Sequence, residues 1–155
     1  MRDKDRKLME ETYKKLIAAI KAHEGVVMEK GRHVVYRCPA GKLTIGYGRN
    51  GEDLGLAEDE AKFLLENDIL RCVQELAREY PWFKELEGAR RDAIINIFYN
   101  LGATTFRTFK KAIAAMERGE YKKAGAEFLD SKWATQVRGR AVKLSDMITT
   151  NTYPE

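Results

Sequence analysis

From Asp5 to about His23 the apolar residues Met9, Tyr13, Leu16, Ile17 and Ile20 recur at three- and four-residue steps, the period of one face of an amphipathic helix. Gly25 supplies the stop. Over residues 26–47 the pattern changes. HVVYR and KLTIGYG are β-branched and aromatic runs, and Pro39-Ala40-Gly41 between them signals a turn, which predicts two short strands of a small antiparallel hairpin. The loop RNGEDLGL leads to a long helical pattern from Ala57 to about Arg78, striped by Ala61, Leu64, Leu65, Ile69, Cys72, Val73 and Leu76 and ended by Pro81. At 1.5 Å per residue such a helix measures roughly 30 Å, enough to join two lobes. Beyond Trp82 and Phe83 the pattern stays helical: ARRDAIINIFYNLG closes on Gly102, TFRTFKKAIAAMERG closes on Gly119, EYKKAGAEFLD runs to Ser131, and RGRAVKLSDMITT forms a last short helix. No linker, low-complexity tract or repeat interrupts the chain. The expectation is a single α+β domain, mostly helical, with a small hairpin-bearing lobe over about 1–56, a connecting helix over about 57–79 and a helical lobe over about 80–155.

Composition narrows this picture. With 155 residues, 44% of them hydrophobic, the chain supplies the material for one ordinary core and needs no staples. Cys38 and Cys72 are too few for a disulfide framework and indicate a reducing compartment. MRDKDRKLMEETYKK carries charge throughout, so it reads neither as a secretory signal nor as a membrane anchor, and no later stretch is apolar enough to span a bilayer. Lys and Arg exceed Asp and Glu by 28 to 24, an excess that reads as small and scattered over a solvated helical surface. It permits loose association with polyanions, but no Lys/Arg cluster is interleaved with aromatics as a dedicated nucleic-acid face would be.

The candidate chemistry is concentrated near the N-terminal third. Glu24 stands at the predicted C-terminal end of a helix, where the negative end of the dipole disfavours a carboxylate anion and is expected to raise its pKa. A carboxylic acid that stays protonated near neutral pH suits proton donation to the leaving oxygen of a glycoside, with a second group across the scissile bond. For a glutamate judged by position alone, a surface role is the competing reading. Thr44 on the second strand lies across the hairpin from Cys38, so hydroxyl and thiol could hold one water, with Cys38 accepting its proton once ionised. A free cysteine titrates near ~8.5, so a neighbouring cation, Arg37, Lys42 or Arg49, is needed to lower it. Cys38 could equally fill a turn, and Cys72, on an apolar stripe, reads as a core residue. A thiol hydrolase pairing Cys38 with His33 or His23 is a rival enzyme reading. Neither histidine sits in a cysteine protease signature.

These residues resemble the pattern of the phage-type lysozymes, or endolysins, of glycoside hydrolase family 24. That pattern is a helix-ending glutamate in an EG dipeptide, then Asp or Cys, five intervening residues, Thr and G-x-G; here it reads His23-Glu24-Gly25, Cys38, Thr44 and Gly46-Tyr47-Gly48. ARRDAIINIFYNLG is similar to the family's buried central helix, and LDSKWATQVRGRA to its S-[KR]-W-x-x-Q-x-x-x-R-A segment, so the resemblance runs from about Leu16 to Thr149. It implies a lysozyme-like fold with Glu24 as general acid, Cys38 in place of the water-activating aspartate, Thr44 orienting the water, and Arg140 pairing with the glutamate. It also implies a substrate cleft lined by Arg49 and Asn50 on one side and Tyr99, Asn100 and Gln136 on the other.

Thirteen residues separate Glu24 from Cys38 where the family usually has eight, which reads as a longer first strand or hairpin loop. Should the excess shift the register, Glu29 is the alternative carboxylate. A water-activating base would give inversion, and the cysteine leaves the stereochemical outcome open. The implied activity is hydrolysis of the β-1,4 bond between N-acetylmuramic acid and N-acetylglucosamine in peptidoglycan, by a monomer without cofactor or metal, and without nucleic acid or stable membrane association. A protein binding peptidoglycan without cutting it is the alternative. The resemblance further implies accumulation in the host cytoplasm, release by a separate holin, and action on the wall of a Gram-negative host.

Overall fold

The computed structural model describes residues 2–154. It is mostly helical with two small antiparallel sheets, in chain order α1 (Asp3–Thr12), α2 (Lys14–His23), β1 (Met28–Glu29), β2 (Arg32–His33), β3 (Tyr36–Arg37), β4 (Leu43–Ile45), β5 (Arg49–Asn50), α3 (Glu58–Glu79), α4 (Gly88–Leu101), α5 (Ala103–Phe106), α6 (Lys110–Glu117), α7 (Tyr121–Leu129), α8 (Lys132–Val137) and α9 (Gly139–Thr150). A 3-10 turn, Pro81–Glu85, joins α3 to α4. The chain divides into two compact units, one ending at Phe63 and one beginning at Leu64, so the division falls inside α3.

In the first unit the expected single helix is two, broken at Tyr13 (φ −109°, ψ 19°). The Thr12 hydroxyl donates to the carbonyl of Leu8 at 2.7 Å, a side-chain bond back along the helix of the kind that bends it. Apolar periodicity runs straight through such a break and does not reveal it. The expected two-stranded hairpin is five short strands. HVVYR divides between two sheets, His33 ending β2 and Tyr36 opening β3. β1 pairs with β2, Met28 opposite His33 and Glu29 opposite Arg32. The second sheet has the order β3-β4-β5, with Tyr36 opposite Thr44, Arg37 opposite Leu43, Thr44 opposite Asn50 and Ile45 opposite Arg49. Strands of two and three residues offer little surface on which to bury a helix. Accordingly α1 and α2 have no buried residue, and Met9, Tyr13, Leu16 and Ile20 of the expected stripe are exposed.

Among the described residues the buried hydrophobic ones all lie between Leu76 and Ile148. The α3 stripe enters this core only in its last turns: Leu64, Leu65 and Ile69 are exposed, Cys72 and Val73 pack against the core, and Leu76 is buried. The N-terminal half of that stripe therefore departs from the expectation of a buried face. Ala93, Ile94, Ile97 and Phe98 of α4 form the centre, and Phe106 meets Phe98 and Tyr80 edge-on. TFRTFKKAIAAMERG, read as one helix, breaks over residues 107–109, where the Thr108 amide and hydroxyl both bond the Thr105 carbonyl. Helices α7 and α9 pack at Gly125, which touches Ser145 and Thr149. Cys38 and Cys72 are both free. Among the described residues no helix is long and apolar enough to cross a membrane.

Candidate active site

In the first unit Glu24 is the C-cap of α2, its backbone already extended (φ −76°, ψ 135°) and its amide donating to the Ile20 carbonyl at 2.9 Å. The next residue is tied to the sheet, since the Tyr36 hydroxyl donates to the Gly25 carbonyl at 2.8 Å. The Glu24 carboxylate lies against Gly48, close enough that a Cβ built there would stand 2.6 Å from Oε2.

Cys38 follows β3 directly. Its amide donates to the Lys42 carbonyl at 3.0 Å and its carbonyl accepts from the Gly41 amide at 2.8 Å, closing the turn that contains Pro39-Ala40-Gly41. With Tyr36 opposite Thr44, strand alternation puts Tyr36, Cys38 and Thr44 on one face. Thr44 is 3% exposed, the single buried residue of the first unit among the described residues. Its hydroxyl donates to the Lys42 carbonyl at 2.9 Å. The backbone amide of Lys42 foremost, then that of Ala40 and the Thr44 hydroxyl, holds the Cys38 thiol below its ordinary value, while desolvation opposes them.

The cations expected to act on Cys38 are engaged elsewhere. Arg37 donates to the Gly41 carbonyl and pairs with Glu52, and Lys42 pairs with Asp53 and Glu52. Neither histidine is among the groups that act on the thiol. Glu29 sits in the separate β1–β2 sheet, opposite Arg32, so Thr44's neighbour is Cys38.

Arg49 and Asn50, expected on a cleft wall, are spent within the fold. Arg49 grips Glu60 with both Nη atoms, at 2.9 and 2.8 Å, and also donates to the Gly55 carbonyl. Glu60 in turn accepts from the Ala57 amide, and these contacts lower its pKa, the Ala57 amide most of all. Asn50 exchanges two hydrogen bonds with Asp53 and shapes the loop before α3.

In the second unit Tyr99 and Arg140 line one groove of about 380 Å³ together with Leu65, Ile69, Asp92, Ile95 and Asn96. Arg140 donates to Asn96 Oδ1 at 2.5 Å. Gln136 lines a different groove, of about 680 Å³, which also includes Trp133, Lys132 and Ser131. Asn100 accepts from the Trp133 indole at 2.6 Å, which ties α4 to α8. Tyr99 and Arg140 are thus brought together, whereas Asn100 and Gln136 belong with Trp133.

The phage lysozyme family matches residues 21–147. The chain belongs to that family. It is therefore a glycoside hydrolase of the lysozyme kind, and the matched stretch contains Glu24, Cys38, Thr44 and Arg140. Among relatives of this phage lysozyme family member, the endolysin of Acyrthosiphon pisum secondary endosymbiont phage 1 is 29% identical over 136 residues, 85% of this chain and 86% of its own length. The SAR-endolysin of bacteriophage PS119 is 29% identical over 102 residues, 63% of this chain and 59% of its own. Probable T4-type lysozyme 1 of Dictyostelium discoideum is 25% identical over 100 residues, again 63% and 59%.

In this phage lysozyme family member the roles of Asn96 and the Tyr36 hydroxyl are not evident from the sequence, whereas the alternation of Gly46 and Gly48 with Ile45 and Tyr47 marks a side-chain-free face without naming Glu24 as its neighbour. Asn96 lies in the α4 run IINIF as a lone polar residue among apolar ones, a signal that was available. The Tyr36 contact depends on a hydroxyl reaching across elements, which periodicity does not register.

Proposed function

We infer that this chain is an endolysin that cleaves the β-1,4 bond between N-acetylmuramic acid and N-acetylglucosamine in peptidoglycan and so lyses bacterial cells. The observation that carries this reading is the family match from residue 21 to residue 147, which takes in the helix-ending glutamate, the cysteine–threonine pair and the second unit's arginine. In this reading Glu24 donates its proton to the leaving oxygen. Cys38, with its thiol lowered by the Lys42 and Ala40 amides and the Thr44 hydroxyl, accepts the proton of a water that Thr44 orients. The seat of Glu24 at Gly48 and the turn bearing Cys38 lie at opposite ends of β4, an arrangement that supports a water between the groups. Arg140 and Tyr99 serve the same reaction from the groove they share in the second unit, where Tyr99 contacts the glycan. The relatives named endolysins support the lytic role. In this reading the enzyme works as a monomer, accumulates in the host cytoplasm, and reaches the wall once a holin opens the membrane.

The test is release of reducing ends from purified peptidoglycan by the wild type and by Glu24→Gln. The wild type releases them, and the variant is slower by about 100-fold or more, the range in which proton donation operates. A Glu24→Gln enzyme as active as the wild type would remove Glu24 from the mechanism, and a wild type that only binds would make the chain a silent wall-binding protein. Cys38→Asp, which installs the family's other choice, retains activity, whereas Cys38→Ser loses it because a serine hydroxyl does not ionise near neutral pH.

A further inference from the structure

The stretch between Glu24 and Cys38 is thirteen residues long. It folds as the β1–β2 hairpin, closed by a tight turn at Lys30 and Gly31 with φ of 50° and 75°. The hairpin's last residue, His33, lays its ring edge-on against Tyr47 with centroids 5.0 Å apart. Tyr47 is held from the helix as well: Lys21 Nζ stands 5.0 Å above the centre of its ring. Lys21 lies three residues before Glu24 on the last turn of α2. Tyr47 is thus clamped between the inserted hairpin and the helix end that carries the carboxylate.

The residue bonded to Tyr47 on its C-terminal side is Gly48, at φ 79°, and a Cβ there would lie 2.6 Å from Glu24 Oε2 and 2.9 Å from Glu24 Cδ. Real side-chain carbons do not approach so closely. Gly46, on the other side of Tyr47, has nearly the same backbone, φ 68°, yet a Cβ on it would meet nothing within 4 Å. The two glycines of one turn are therefore alike in conformation and differ in what they adjoin. We propose that the β1–β2 hairpin is a positioning device for Glu24, which through His33 fixes Tyr47 and thereby sets Gly48 as the side-chain-free seat of the carboxylate.

The consequence is chemical more than structural. Glu24 is exposed, and its carboxylate is the far end of a flexible side chain. A methyl group at position 48 displaces that carboxylate and leaves the surrounding fold in place. Misplacement of a reacting group by an ångström is enough to cost a large part of its rate. Removing the His33 ring leaves Tyr47 held from the helix side alone and loosens the seat without touching Glu24.

This proposal rests on the reading of Glu24 as proton donor, and the experiment separates the two. The kcat and apparent KM on purified peptidoglycan are measured for the wild type, Gly46→Ala, Gly48→Ala, His33→Ala and Glu24→Gln, with Tm for each. Gly46→Ala and Gly48→Ala share the strain of alanine at positive φ and so lose similar amounts of Tm. The expected result is a kcat for Gly48→Ala lower than that of Gly46→Ala by about 10-fold or more, with KM within about twofold, because a bound reactant is misplaced and not released. His33→Ala falls in the same direction, in kcat and not in KM. The proposal is overturned if Glu24→Gln is inactive while Gly48→Ala tracks Gly46→Ala and His33→Ala tracks the wild type. A fully active Glu24→Gln would instead overturn the reading beneath it.

Discussion

Cys38 shows at the scale of one residue how backbone amides can do what a cation was expected to do. Its thiol is lowered chiefly by the Lys42 amide, with help from the Ala40 amide and the Thr44 hydroxyl, whereas burial raises Cys72 on α3. Alkylation by iodoacetamide as a function of pH should therefore give Cys38 a midpoint below that of a simple peptide thiol and Cys72 a midpoint above it, read separately in Cys72→Ser and Cys38→Ser. Thr44→Val removes one of the lowering contacts and moves the Cys38 midpoint up. If Cys38 is the base, the acid limb of kcat/KM moves to higher pH with it, and a limb that stays put would detach the thiol from the rate. The thiol–hydroxyl pairing was legible from the five-residue spacing and the turn signal between the two residues. What lowers the thiol was not, because backbone amides carry no letter in the sequence, and Arg37, Lys42 and Arg49 turned out to be engaged by carbonyls and carboxylates of the same unit.

Among the elements, α7 and α9 meet where Gly125 lets them approach. A Cβ at that position would lie 2.8 Å from Ser145 Oγ and 3.0 Å from the Ser145 carbonyl. A carbonyl inside α9 cannot swing aside as a side chain does, so Gly125→Ala should overpack the pair and lower stability by about 1–3 kcal/mol, measured by denaturant unfolding. An unchanged midpoint would mean the helices separate freely. Helices α4, α7 and α9 were readable because each closes on a glycine or polar stop and buries a regular stripe. The breaks at Tyr13 and after Phe106 were not readable. Each accompanies a threonine hydroxyl that bonds a nearby carbonyl, and a threonine inside a helical pattern looks the same whether or not it does so. Asn100 was assigned to a cleft by the family resemblance, and the structure gives its oxygen to the Trp133 indole.

The charge of the whole molecule is less even than its totals suggest. Residues 107–143 hold ten Lys or Arg against four Asp or Glu, a net +6 within a chain of net +4, so the remainder is net negative. Arg107, at the start of that stretch, grips Glu79 with Nε at 2.6 Å and Nη2 at 3.0 Å, and this hydrogen bonding is the main reason the Glu79 carboxyl titrates below its usual range. Stability from that pair is present above the ordinary carboxyl pKa and is lost as pH falls through the lowered value. The Tm deficit of Glu79→Gln should therefore be evident at pH 7 and vanish in strong acid. Among the described residues the core lies between Leu76 and Ile148, so the slowest amides in hydrogen exchange should lie in α4, α7 and α9 and the fastest in α1 and α2. The same distribution bears on how such a chain acquires new parts. Five additional residues between Glu24 and Cys38 disturb no buried stripe, so the toll for trying out an insertion there is small, whereas the same five residues within α4 would misalign every side chain that follows. Lineages of this enzyme should accordingly diverge in length before Thr44 and hold their length after Leu76.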